Sequence, residues 1–501
     1  MSDVATSRPA TGAGLVRRLG FMGLAATGIC SMLGAAINVV PFMLHRSVPG
    51  IGPYVLPAYL FAAVPAILAA LAYAILASAM PRAGGSYIYA SRGLHPYLGF
   101  VASFSQWFGL SIAIGVVSYV LIPFVRDVFA TLGVDGVAEL LDTGPVRVGL
   151  ALTFLWTSVL INMRGLQLYE RILVPLMFLM FVLGGVVVVA GFLFDQGDFA
   201  AGLLAAEGVP VPDVVPVAFS WTSFLAGSAI LFSSFIGFDS IAQAGGEAKN
   251  PGRSLPLAIG VAVLTVGTFY LLFTAAVYHT VPWQFVAERA QNQDLTAPGL
   301  LGYVLSPTWT VLIVVGAAVA LVNDLPAMLL AVSRLMFAWA EDGVFPKVVA
   351  KVHERWHTPT VALMLSGVMA SASILGSHFA GDFFLGVDIL VTSMLVNFMV
   401  MCLTVLWLPT TNPRIAADVT VLPSRRLQVP LAAAGVVMLS IFLVVHVRKD
   451  LVAELDAWYF HSTPLWLIVL GIASLIYARE VSVLKKNGVD TRELFHTLPP
   501  E

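Results

Sequence analysis

GAAINVVP, residues 34–41, lies inside an otherwise apolar run from about 20 to 44, and its reading decides the fold. Gly34, Ala35, Ala36, Ile37 and Asn38 run up to Pro41, so a helix is weakened partway along a stretch able to cross a bilayer, which takes about 20 apolar residues. A second interruption falls in the later run 217–243, where Ser233, Ser234, Phe235, Ile236, Gly237, Phe238 and Asp239 lead to Gly245 and Gly246. Paired breaks at corresponding places in two halves of a membrane chain mark a midplane site. There, freed backbone N–H groups and half-helix N-termini can meet an anionic group. A single glycine can instead serve close helix packing. The coincidence of two breaks with polar residues favours the site.

The rest of the chain agrees with a membrane setting. Hydrophobic residues make up 59% of 501 residues and charged ones 11%, too few charges to cover a soluble surface. Apolar runs predict twelve helices, at roughly 20–44, 53–79, 97–125, 146–162, 172–194, 217–243, 255–280, 308–338, 359–378, 383–408, 428–447 and 463–478. Helices rather than barrel strands are expected, because no ten-residue alternation appears. Cys30 and Cys402 both fall in apolar runs, which argues against a disulfide framework or a metal site. No basic stretch suggests nucleic acid, and the polar, basic start does not read as a cleaved signal peptide.

Placing the N-terminus in the cytosol leaves only Arg46, Arg126, Arg147, Arg289, Arg448 and Lys449 outside, of 26 Lys and Arg residues. That bias supports an even number of spans with both termini cytosolic. The stretch 195–213, acidic and without a basic residue, reads as an external loop. The expected organisation is a cytosolic tail over 1–19, a transporter core over 20–408 with repeats of about 20–194 and 217–408, two appended helices over 409–478, and a cytosolic tail over 479–501.

Four segments resemble the amino acid, polyamine and organocation permease family. They are GAAINVVP at 34–41, MPRAGGSYIYASRGLHPYLGF at 80–100, FIGFDSIAQAGGEAKNPGRSLPLAI at 235–259 and SRLMFAWAEDGVFP at 333–346. The resemblance implies a LeuT-like all-α membrane protein of twelve helices, with a 5+5 inverted repeat, discontinuous helices 1 and 6, and alternating access. It implies that backbone amides of Gly34, Ala35, Ala36 and Ile37 hold a substrate carboxylate. Carbonyls around Phe235, Ile236 and Gly237 would meet the amino group, with Phe238 lining or gating the site. Three departures stand out: Ala36 replaces the second glycine of a GSG pattern, Asn38 replaces a phenylalanine, and Ile75 replaces an acidic residue.

Coupling is less legible. Many proton-coupled members carry a lysine in helix 5, and Met180 stands at that position here. Helix 8 instead carries Asn323 and Asp324, ten residues before Arg334, or ~15 Å of helical rise deeper. A carboxylate inside the membrane costs at least ~2.5 kcal/mol, so it calls for a partner: a proton, a sodium ion, the cationic head of a substrate, or a polar neighbour. Asp239 is a further cation candidate or a cap of the broken helix. Glu247, with Lys249 and Arg253, reads as an ion-pair cluster at the cytosolic end. His353, Glu354 and His357 match HExxH, but in a charged connection rather than an apolar helix.

The sequence therefore predicts a multi-pass permease of the cell membrane for amino acids, without a cofactor beyond a possible coupling proton or sodium ion. Its expected partners are a small-molecule substrate and the lipid bilayer. An amine or polyamine carrier is the first alternative, and an intramembrane metalloenzyme a remote one.

Overall fold

The computed structural model describes residues 14–34, 36–214, 216–380, 384–453 and 458–500. Among them, eleven helices are long and apolar enough to cross a membrane. Numbered as spans, they are span 1 (Phe21–Ser47), span 2 (Pro49–Ala79), span 3 (Pro96–Thr131), span 4 (Gly144–Met163) and span 5 (Leu166–Leu193). Span 7 (Pro251–Thr280), span 8 (Pro307–Glu341), span 9 (Thr360–Phe379), span 10 (Leu385–Thr411), span 11 (Arg425–Val452) and span 12 (Ser462–Lys486) follow. The shorter apolar helix Trp221–Phe235 stands in sixth place and forms the first half of span 6.

Charge misplaced several predicted boundaries. Span 5 begins at Leu166 rather than near 172, and Glu170 and Arg171 ride in its first turns. Long polar side chains extend to the interface, so a charge does not end a helix there. Gly165, at φ 100°, turns the chain into that span in a conformation that favours glycine. The stretch read as an external loop contains the helix Gln196–Glu207, started by a reciprocal cap between Asp195 and Asp198 and stopped by Gly208 at φ 73°.

The spans divide into an interior set and an outer set. The apolar stretch of span 1 is 94% buried and that of span 10 is 78% buried, whereas span 12 has only 17%. Outer spans turn large apolar side chains outward, as Val182, Val189 and Leu193 do on span 5, and hydrocarbon is the solvent in which such a face is stable. Spans 2 and 7 pack together, as do spans 3 and 8, and the first half of span 1 lies against spans 5, 7 and 8.

Candidate binding site at the two helix breaks

Span 1 is two helices, Phe21–Met32 and Ala36–Ser47. Gly34 falls between them, and Ala35 lies outside the described residues. Helix ends leave backbone carbonyls without intrahelical partners, and span 7 supplies one, the Tyr270 hydroxyl donating to the Met32 carbonyl at 2.7 Å.

Span 6 breaks at the matching place. The helix Trp221–Leu231 tightens into a turn of 3₁₀ helix at Phe232–Phe235, Ile236 is extended, and the chain resumes as Asp239–Gln243. Gly237 sits at φ 133°. Asp239 organises this break: one carboxylate oxygen accepts from the Gly237 N–H at 3.2 Å and the other from Gln106 Nε2 at 2.6 Å. It is wholly buried, and it acts on its own backbone.

The two breaks touch. A β-carbon built on Gly237 would stand 2.3 Å from the Ser31 carbonyl oxygen, and Ser31 Oγ lies 3.0 Å from Ser240 Oγ. Span 8 completes the junction, because a β-carbon on Gly34 would stand 2.3 Å from Asp324 Oδ2. Asp324 is 5% exposed, and its Oδ1 has no hydrogen-bond partner.

A cavity of about 1300 Å³, counted with its open mouth, runs from this junction toward the far ends of spans 1 and 11. Ser31, Gly34, Ser233, Ile236 and Asp324 line it at the breaks, and Ser47 and Lys449 where it opens. Its walls between are mostly Val, Leu and Met. Such a chamber has a polar floor with the Asp324 carboxylate and an apolar body, and Asp388 and Lys449 line it as well, which suits a small molecule with a charged head.

Among the described residues, the other predicted side chains do not line this cavity. Phe238 stacks on Phe398 at 4.9 Å and meets Tyr73 edge-on at 5.6 Å, while Phe235 meets Tyr59 at 5.7 Å. Ile37, Asn38 and Met180 line a separate small hollow between spans 1, 5, 7 and 8. Asn323 donates to Cys30 Sγ and to the Leu173 carbonyl, so the neighbours Asn323 and Asp324 serve different surroundings.

The opposite end of the bundle is closed by two buried bidentate ion pairs. Arg334 donates to Glu247 at 2.6 and 2.9 Å, with both side chains fully buried. Glu247 thus pairs with span 8 rather than with Lys249 or Arg253. Arg92 donates to both carboxylate oxygens of Asp342, at 2.5 and 2.8 Å, and Tyr87 adds a third bond at 2.8 Å. The C-terminal segment covers this closure: its Thr497 carbonyl accepts from Arg92 Nε at 3.2 Å and its Pro499 carbonyl from Arg82 Nε at 3.0 Å. The sequence reading missed Asp342 and Gln106. A glutamine inside an apolar run was the available signal for the second.

The HExxH match folds as a turn, not a helix. His353 Nδ1 accepts from the Arg355 and Trp356 N–H groups, and His357 sits at φ 52°, so the two imidazoles lack the shared helical face a zinc site needs.

A profile of the family described as amino acid permease matches residues 19–474. Over 367 residues the chain is 26% identical to the vacuolar cationic amino acid transporter 4 of Arabidopsis thaliana, covering 72% of this chain and 58% of that protein. It is 28% identical over 383 residues to cationic amino acid transporter 4 of Mus musculus, covering 71% and 54%. The low-affinity putrescine importer PlaP of Escherichia coli (strain K12) is 26% identical over 345 residues, covering 68% and 69%. The chain thus spans little more than half the length of the first two relatives.

Proposed function

We propose, from the premise that this chain belongs to the amino acid permease family, that it is a secondary active transporter of the cell membrane for amino acids or the related amines. Permeases are carriers rather than enzymes, which leaves the metalloenzyme alternative without support. The observation that carries the reading is the contact of the two helix breaks, Gly237 against Ser31 and Gly34 against Asp324, at the floor of a cavity that opens toward one end of the bundle. Alternating access requires a site near mid-membrane with one gate open and the other shut, and the Glu247–Arg334 and Arg92–Asp342 pairs serve as the shut gate.

In this reading, spans 1–5 and 6–10 are inverted repeats. The packing of span 2 on span 7 and of span 3 on span 8, each five apart, supports it. Both termini are cytosolic, so the cavity faces outward. Backbone amides of Gly34, Ala35, Ala36 and Ile37 and carbonyls of Phe235, Ile236 and Gly237 bind the polar head, and Phe238 backs the site. Asp324 takes the coupling proton or sodium ion, or the ammonium group of the cargo, while Asn323 and Asp239 hold the surrounding backbone.

One observation favours the amine as cargo. Asp324 Oδ2 lies against Gly34, so an internal carboxylate already stands at the break where an amino acid would place its own. Two carboxylates at one low-dielectric site repel unless a cation or proton intervenes. The names of two kinds of relative, cationic amino acid transporters and a putrescine importer, span both cargoes. Counterflow into reconstituted vesicles, run with matched pairs of an amino acid and its decarboxylated amine, tests the reading. Exchange of at least one member is expected, and exchange of none would remove the transport assignment.

A further inference from the structure

Another cavity, of about 600 Å³ with its open mouth, lies between the N-terminal segment, the turn joining spans 4 and 5, and the connection from span 8 to span 9. Each of these three segments brings one arginine to it: Arg18, Arg164 and Arg355, joined by His357. Its lining includes no Asp or Glu among the described residues. The three arginines are exposed. None is hydrogen-bonded through its side chain or ion-paired to a described residue, although Arg355 lies over the Trp356 ring at 4.6 Å.

The wall between Arg164 and Arg355 is the start of span 5. Gly165 precedes that 28-residue helix without a capping side chain, and no acidic residue occupies its first turn. Its leading N–H groups and the positive end of its dipole therefore add to the guanidiniums. Like charges gathered from three separate segments repel one another, and an anion between them reverses the sign of that interaction.

We infer that this hollow binds a phosphate-bearing anion, and its position favours the headgroup of an anionic lipid as the source. Spans 4 and 5, which border it, have apolar stretches only 28% and 22% buried, so lipid reaches them. Trp356, at the rim, is 37% exposed, as aromatic residues at a membrane interface are. Basic hollows between helices on the cytoplasmic side suit lipid phosphates, and the cytosolic placement rests on the topology proposed above.

Occupancy would reach the transport gate. The Arg18 and Leu19 N–H groups both donate to the Glu247 carbonyl at 2.9 Å, and the Lys249 N–H donates to the Leu19 carbonyl at 2.8 Å. Glu247 is the residue whose side chain closes on Arg334. An anion shared by Arg18, Arg164 and Arg355 therefore anchors the N-terminal segment, and through it the Glu247 backbone, to the start of span 5 and the connection before span 9, which favours the closed inner gate.

The test is thermal melting of the purified full-length chain in detergent, titrated with short-chain phosphatidylglycerol, short-chain phosphatidylcholine or inorganic phosphate. Phosphatidylglycerol should raise the melting temperature along a saturable curve and phosphatidylcholine should not. In the double variant Arg164→Ala/Arg355→Ala the midpoint should move to about twenty-five-fold higher lipid, at roughly fivefold per arginine. Lys485→Ala/Lys486→Ala, on span 12, should leave it in place. Inorganic phosphate acting with the same sensitivity to Arg164 and Arg355 supports the site and makes its ligand a soluble anion. Equal titrations for wild type and the arginine variant, or equal loss in the lysine variant, overturn the site. Melting in detergent needs no transported substrate, so that failure would leave the transport reading standing.

Discussion

Gly237 of span 6 and Ser31 of span 1 meet backbone to backbone, so closely that a β-carbon on Gly237 would lie 2.3 Å from the Ser31 carbonyl oxygen. The glycine also holds φ 133°, a conformation closed to ordinary side chains. Space and torsion thus exclude a side chain independently at the point where the two broken helices join.

Gly237→Ala is accordingly expected to lower stability by at least about 2 kcal/mol, since strain and overpacking each cost about 1–3 kcal/mol. Thermal melting in detergent measures it. A variant melting with wild type would mean that the junction is loose.

The Glu247–Arg334 pair is fully buried on both sides, so removing one partner strands a charge. Glu247→Gln should cost about 3–5 kcal/mol, whereas a double replacement by well-packed apolar residues should recover most of that loss. A double-mutant cycle by denaturant melting separates the two. Additive losses would show that the ion pair is not the coupling element.

On the opposite end, Glu207 accepts from the Tyr303 hydroxyl and from Arg289, which hold its carboxyl below the ordinary value, the tyrosine contributing first. Burial and the adjacent carboxylate push Tyr303 up to about 12. A carboxyl depressed in the folded state contributes stability above its unfolded value, about 4.3, and loses it as pH falls further. Melting temperature followed from neutral to acid pH should therefore show wild type above Glu207→Gln near pH 7, with the gap shrinking below about pH 4. A constant gap would contradict the assignment.

The C-terminal segment donates two carbonyls, Thr497 to Arg92 and Pro499 to Arg82. Deleting residues 490–501 removes both acceptors, at about 1–3 kcal/mol for the buried Arg92 Nε–H left without one. The inner gate should then open more often. Faster labelling of a cysteine introduced at Ser333 in the truncated chain is the expected outcome; an unchanged rate would make the segment a passive cover.

Much of this architecture was legible in sequence, because the bilayer imposes length and polarity rules that a single chain must obey. The breaks at Gly34 and Gly237 were visible as small and polar residues in apolar runs, and Asp324 as a charge where charge is expensive. What could not be read was which way side chains turn. Asn323 and Asp324 are adjacent yet face different partners, and the stacking of Phe238, expected to line or gate the site, on Phe398 has no local signature. Period alone gives a helix its faces, but which neighbour each face meets depends on long-range packing. The pairing of Arg92 with Asp342 joins residues 250 positions apart, and no local pattern encodes it. The helix Gln196–Glu207 was missed for a different reason, since its Asp195 and Asp198 were counted as loop charges when they form its cap.

Cargo is proposed to bind where the two breaks meet span 8. Counterflow in vesicles reconstituted with Gly34→Ala tests it most directly, because the added methyl would lie 2.3 Å from Asp324 Oδ2 and must displace that carboxylate. The expected result is a folded protein whose half-saturating substrate concentration rises at least about tenfold, as displacing a positioned group by about 1 Å costs that much or more. Exchange by that variant at wild-type affinity would contradict it.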